Sequence, residues 1–199
     1  VAVGLAVALG LSFLMPFVAF GFLRATTRLD RPNAAAVAAH YGSISIVTFV
    51  TAVAFLTERS VPFAGELVAM AALMETPAIV SGLLLARKNS TDPLFSPVIL
   101  RKIVLSGSIV LLTGSFLIGF GTGMEGMETV RPFFVDPFKG ILCLFLLEMG
   151  LVAGRRFGAF RQMGFALIGF GLYMPLVGAS LGIVAAWLIG FGPGSATLL

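Results

Sequence analysis

An all-α membrane protein with six spanning helices is the fold class the sequence predicts, and three observations predict it. Hydrophobic residues make up 58% of the 199 positions and charged ones only 11%, with a mean hydropathy of +1.06, which is far from a water-soluble domain. Apolar stretches long enough to cross a hydrocarbon core about 30 Å thick recur between short polar joints. The basic residues sort by joint, alternate joints holding ten Lys and Arg against three. That is the positive-inside asymmetry of a fully alternating chain, and with an even number of spans it puts both ends on the outer side. The start at Val1, without Met, reads as a piece of a larger protein or one lacking its start.

The first span covers residues 1–23 and is followed by a joint carrying Arg24, Arg28 and Arg31. No signal peptide is visible, because this apolar stretch is too long and has no charged leader. The second covers 34–56 and breaks its own pattern at "AAHYGSISIVT", residues 38–48, which holds the chain's single histidine. Gly42 lowers helix propensity there, and Ser43, Ser45, Thr48 and Thr51 can bond backbone or ligand oxygens. Two readings stand: a helix broken near residues 40–46, or an intact helix whose hydroxyls bond back one turn while Gly42 admits a close neighbour. A break would be tolerated at membrane depth only where it lines a cavity or packs on protein. The half-helix beginning near Ser43 would then point free N–H groups inward and favour an anion.

The third span, residues 64–86, contains Glu75 in "ALMETPAIV". An intramembrane carboxylate marks an ion or substrate pathway by default, with a hydrogen-bonded packing role as the alternative. Pro77 removes a backbone donor and frees the carbonyl near Leu73. Carboxylate, hydroxyls and freed carbonyl together suit a hard cation such as sodium. Residues 87–102 form the most basic joint, with Arg87, Lys88, Arg101 and Lys102. The fourth span covers 103–121. It leads into an outer segment with Glu125, Glu128 and Asp136, read as a solvated connector or short re-entrant cap. The fifth, 138–154, holds Glu148, a second intramembrane carboxylate with no helix breaker beside it. The sixth, 163–190, is long enough to tilt.

An internal echo links the ends of this series. "SFLMPFVAFGFL" in the first span and "GLYMPLVGASLG" in the sixth both carry Met-Pro-apolar-Val, at Met15-Pro16 and Met174-Pro175. Loop charge runs these two spans in opposite directions, the pattern of an inverted repeat. Gly42 lies 26 residues after Pro16, so its counterpart is expected near position 201, past Leu199.

Enzyme chemistry finds no foothold. The sequence has no Gly-rich phosphate loop and no zinc pair, and His40 alone cannot support a hydrolytic triad. His40 fits a packing residue or, less simply, a proton shuttle. The lone Cys143 permits no intrachain disulfide. The net charge of +4 forms no single basic patch, so nucleic acid is not an expected partner, whereas the lipid bilayer is.

"AAHYGSISIVTFVTAVAFL", then "ETPAIV" and "DPFKGILCLFLLEMGL", closely resemble the sodium-dependent bicarbonate transporter family of permeases over nearly the whole chain. The resemblance implies a ten-helix fold of two inverted five-helix halves, divided into core and gate domains and assembled as a homotrimer in the bacterial cytoplasmic membrane. Residues 1–86 would end the first repeat, 87–102 would be the cytoplasmic inter-repeat loop, and 103–199 would begin the second repeat. Gly42, Ser45 and Thr48 match the glycine and hydroxyls of the family's first broken helix. Glu75 with Pro77 stands where well-known members have an aspartate and a proline two residues on. Ile46 and Val47 occupy places that are small or polar in those members, and the 87–102 loop, where a regulatory signalling protein would dock, is shorter. The implied activity is sodium-coupled bicarbonate import, with sodium as the coupling ion and no other cofactor. Gly42, Ser43 and Ser45 would hold the anion, and Ser45, Thr48 and Glu75 the sodium, with His40, Pro77 and Glu148 in support. A cation-coupled carrier of another small anion or organic acid, and a membrane scaffold without transport, are the alternatives.

Overall fold

A computed structural model describes residues 2–87, 101, 105, 107–160 and 164–199. Most of the 87–102 loop therefore lies outside the described residues, as do Arg161 to Met163. Every described regular element is helical. Five candidate membrane spans are long and apolar enough among the described residues, Ala2–Thr26, Arg31–Glu58, Glu66–Ala86, Ile109–Phe134 and Gly164–Leu188. The helix at the expected fifth span, Phe138–Arg155, has 18 residues. At that length, roughly 27 Å, its charged Lys139, Glu148 and Arg155 leave no uninterrupted apolar window.

The chain divides into two compact units, one of Val1–Ile109 with Ala166–Leu199 and one of Val110–Phe165. In the first, α1 (Ala2–Thr26) is followed by α2 (Arg31–Ala39), a single 3-10 turn at His40–Gly42 and α3 (Ile46–Glu58). Then come α4 (Glu66–Leu73) and α5 (Glu75–Ala86). Helices α1, α2 and α5 pack through small residues, which let backbones approach in a solvent that gives apolar side chains no reason to cluster. Ala34, Ala35 and Ala38 of α2 are fully buried. A Cβ on Gly82 of α5 would fall 2.6 Å from the Ala39 Cβ.

Two hydroxyls tie α1 to the third span. Ser12 Oγ donates to the Met74 carbonyl, and Ser81 Oγ donates to the Phe13 carbonyl at 2.7 Å, both serines being fully buried. Arg31 begins α2 and closes α5, its Nε donating to the Leu85 carbonyl at 2.8 Å while its guanidinium lies over Phe20. A cation at a helix C-terminus is favoured by the dipole and by the unpaired carbonyls. Helix α3 ends in a Schellman turn: Val61 N–H donates to the Leu56 carbonyl at 2.9 Å, and Ser60 takes φ 53°, a conformation glycine holds more easily.

In the second unit, α6 (Gly107–Phe134) is two helical stretches joined across a kink, the second lying in the segment read from sequence as a solvated connector or short re-entrant cap. It bends at Gly123, whose φ of 60° and ψ of −152° no L side chain adopts readily. Beyond that bend, Glu128 and Arg131 pair at 2.9 Å one turn apart, so the charges that suggested a loop help hold a helix. Helix α7 (Phe138–Arg155) has no buried residue, and α8 is the short Phe157–Phe160. The first unit resumes with α9 (Gly164–Leu188) and α10 (Pro193–Leu198). Ser195 Oγ of α10 accepts from Ala64 N–H at 3.0 Å, while Gly194 lies against the Pro62 carbonyl.

Candidate functional site

The break in the second span is the most distinctive local feature of the first unit. Helix α2 stops at Ala39, the 3-10 turn carries the chain to Gly42, and Ser43 and Ser45 are extended, with ψ 147° and 112°. Ser45 caps α3, its Oγ accepting from Thr48 N–H at 3.4 Å, as an N-cap serine does. The amides of Ile46 and Val47 belong to the same first turn, where no intrahelical acceptor exists.

Gly42 is held from three directions. A Cβ there would fall 2.6 Å from Pro16 Cγ and 2.9 Å from Ala78 Cβ, and would run into the Ser12 carbonyl oxygen. Proline explains the exposed carbonyl, since Pro16 carries no N–H to donate one turn back to Ser12. The glycine of the break is thus seated on the freed carbonyl of α1, and only a residue without a side chain fits.

A cavity of about 170 Å³ opens at the break. At about 30 Å³ per water, that is room for a small ion with a few waters. Its lining includes Tyr41, Gly42, Ser43 and Ile44 from the broken segment, with Ser12 of α1 and Gly178 of α9. Among the predicted residues, Gly42 and Ser43 line it. Ser45 and Thr48 lie just beyond with exposed side chains. Glu75 is half-buried and adjoins Met74, which lines the cavity. Pro77 is half-buried inside α5, and its carbonyl lies 3.0 Å from Ser81 Oγ. His40 is turned back on α2, its Nδ1 2.7 Å from the Ala36 carbonyl. Glu148 is exposed on α7 of the other unit.

The sequence reading missed Ser12, Met15, Met74, Tyr41 and Gly178, which also line the cavity. Tyr41 and Met74 stand in stretches singled out for their neighbours Gly42 and Glu75, and the Met-Pro echo pointed toward Met15. Both its methionines are buried in one cluster with Ala19, Leu23 and Phe170.

A family model for the Na+-dependent bicarbonate transporter superfamily matches residues 1–199, the whole chain. The chain belongs to that superfamily. No curated protein matches it. Membership in the bicarbonate transporter superfamily, with five apolar helices of spanning length, makes this a multi-pass membrane protein of a transporter family.

Proposed function

We propose that the protein is a sodium-coupled importer of bicarbonate, and that the broken second span forms part of its binding site. The observation that carries the reading is a helix interrupted within a membrane span, its extended segment opening on a cavity of small-ion size. In hydrocarbon such a backbone is retained where it serves a ligand or packs on protein. Here Gly42 does the packing, and Ser43 and Ile44 face the cavity.

Bicarbonate is assigned to Gly42, Ser43 and Ser45, where the unpaired amides and dipole of α3 offset its charge. Sodium, the second substrate, takes oxygens from Ser45, Thr48 and Glu75, with the carbonyl freed by Pro77 in support. His40 and Glu148 are left with secondary roles. Each ion lowers the desolvation cost of the other, so their binding is mutually coupled. The transport step in this reading is movement of a core carrying the break against a gate. We assign the protein to a bacterial cytoplasmic membrane, as a ten-helix inverted repeat and a trimer.

Uptake of labelled bicarbonate by the full-length protein in proteoliposomes, with and without an inward sodium gradient, tests this. Gradient-dependent accumulation is the expected result. Sodium-independent uptake overturns the coupling, and uptake of a carboxylate in preference to bicarbonate assigns another anion to the site.

A further inference from the structure

Arg24 stands in the last turn of α1, and Arg28 and Arg31 follow it on the joint to α2. The Arg24 Nη1 donates to the Leu29 carbonyl at 2.8 Å. Arg31, two residues after Leu29, bonds the end of α5 and lies over Phe20, its guanidinium carbon 5.4 Å from the ring centroid. Phe20 is one turn before Arg24 on the same face of α1, so both guanidiniums are tethered at one corner of the first unit. Arg87 caps α5 two residues beyond Leu85 and brings a fourth arginine to that helix end. Each tethered guanidinium gives one donor to a carbonyl, which leaves most of its five unspent. Among the described residues none of Arg24, Arg28 and Arg31 meets a carboxylate, although Asp30 stands between the last two. Arg131 of the second unit is arranged in the contrary way, paired with Glu128 and 3.7 Å from Asp136. Fixed positive charge without a carboxylate to offset it attracts an anion.

The helix face leading to this corner is aromatic. Phe13, Phe17, Phe20 and Arg24 follow one another at spacings of four, three and four, which puts them on one side of α1. Phe13 and Phe17 are exposed, with ring centroids 5.4 Å apart. The rise from Phe13 to Arg24 is roughly 16 Å along an α-helix, and one leaflet's half of the hydrocarbon core is about 15 Å. We propose that this corner binds an anionic phospholipid, its phosphate taken by Arg24 and Arg31 and one acyl chain laid along Phe17 and Phe13. Guanidinium forks match phosphate oxygens. Loop charge assigns the joint to the cytoplasmic side, whose leaflet carries the anionic lipids. A soluble phosphate would use the arginines and leave the aromatic stripe without a role.

The test titrates the full-length protein in mild detergent with phosphatidylglycerol or phosphatidylcholine, reads retained lipid by native mass spectrometry, and adds glycerol phosphate as a soluble competitor. Each arginine is expected to favour the anionic lipid about fivefold, so phosphatidylglycerol should bind about twentyfold more tightly than phosphatidylcholine. Arg24→Gln should lower that preference about fivefold. Arg31→Gln also loses the bond that closes α5, so Arg24, exposed and outside that bond, is the deciding position. Phe17→Ala should weaken both lipids alike, by about threefold. Arg59 also lies over a ring, that of Phe55, but is the single basic residue of its joint; Arg59→Gln should leave the preference intact. Equal retention of the two lipids overturns the proposal, as does an undiminished preference in Arg24→Gln. Displacement of phosphatidylglycerol by equimolar glycerol phosphate assigns the arginines to a soluble anion and overturns the lipid site.

Discussion

The two Met-Pro motifs share a local chemistry and differ in what covers them. Pro16 of α1 is fully buried, its ring pressed by Gly42 of the broken segment. Pro175 of α9 is exposed, and a Cβ on Gly171, one turn earlier, would meet nothing within 4 Å. In both helices proline strips a donor from the carbonyl four residues back. At Ser12 that carbonyl receives Gly42, whereas the space a side chain on Gly171 would take is open among the described residues. A proline in a spanning helix therefore makes an opening, and the residue that fills it decides whether the opening becomes part of a site.

Three substitutions would break or sharpen this contrast, and thermal unfolding in detergent with size-exclusion readout measures each. Gly42→Ala should have the largest effect. Its Cβ has no free direction among the Pro16 ring, Ala78 and the Ser12 carbonyl, and overpacking of this kind costs about 3 kcal/mol. A melting temperature near wild type would show that the helices part readily at the break. Ser81→Ala comes next, with an expected loss of about 1 kcal/mol for the bond to Phe13. A larger loss would mean that the stitch governs how Pro16 is presented. Gly171→Ala should change stability by no more than about 0.5 kcal/mol, since the space around it is open. Marked destabilisation there would reveal a covered α9 and erase the contrast.

Much of this was legible in the sequence. The break announced itself through Gly42 and the hydroxyls after it, both local signals, though the second half-helix was expected to begin near Ser43 and begins at Ile46, with Ser45 as its cap. The second span could also have been intact with its hydroxyls bonded back one turn; Thr51 does bond back, to the Val47 carbonyl at 2.8 Å, but beyond the break. The partners of the break were not legible. Ser12 and Gly178 reach the cavity from α1 and α9, and Met74 from the junction of α4 and α5, and no spacing within one helix reports which helix will face another. The helix past Gly121 was also hidden. Gly123, Gly126 and three charges read as a connector, yet Thr129 Oγ1 bonds back to the Glu125 carbonyl at 3.0 Å and Glu128 pairs with Arg131. Local pairs of that kind support a helix regardless of a poor apolar pattern.

Ser81 has a second acceptor that bears on how the protein is built. Its hydroxyl lies 2.7 Å from the Phe13 carbonyl on α1 and 3.0 Å from the Pro77 carbonyl of its own helix. Before α1 is in place, the proton can rest on Pro77, so the third span enters lipid with its buried hydroxyl already satisfied. Docking then exchanges one acceptor for another at nearly constant energy. The Ser81 hydroxyl thus has an acceptor on its own helix as well as one on α1.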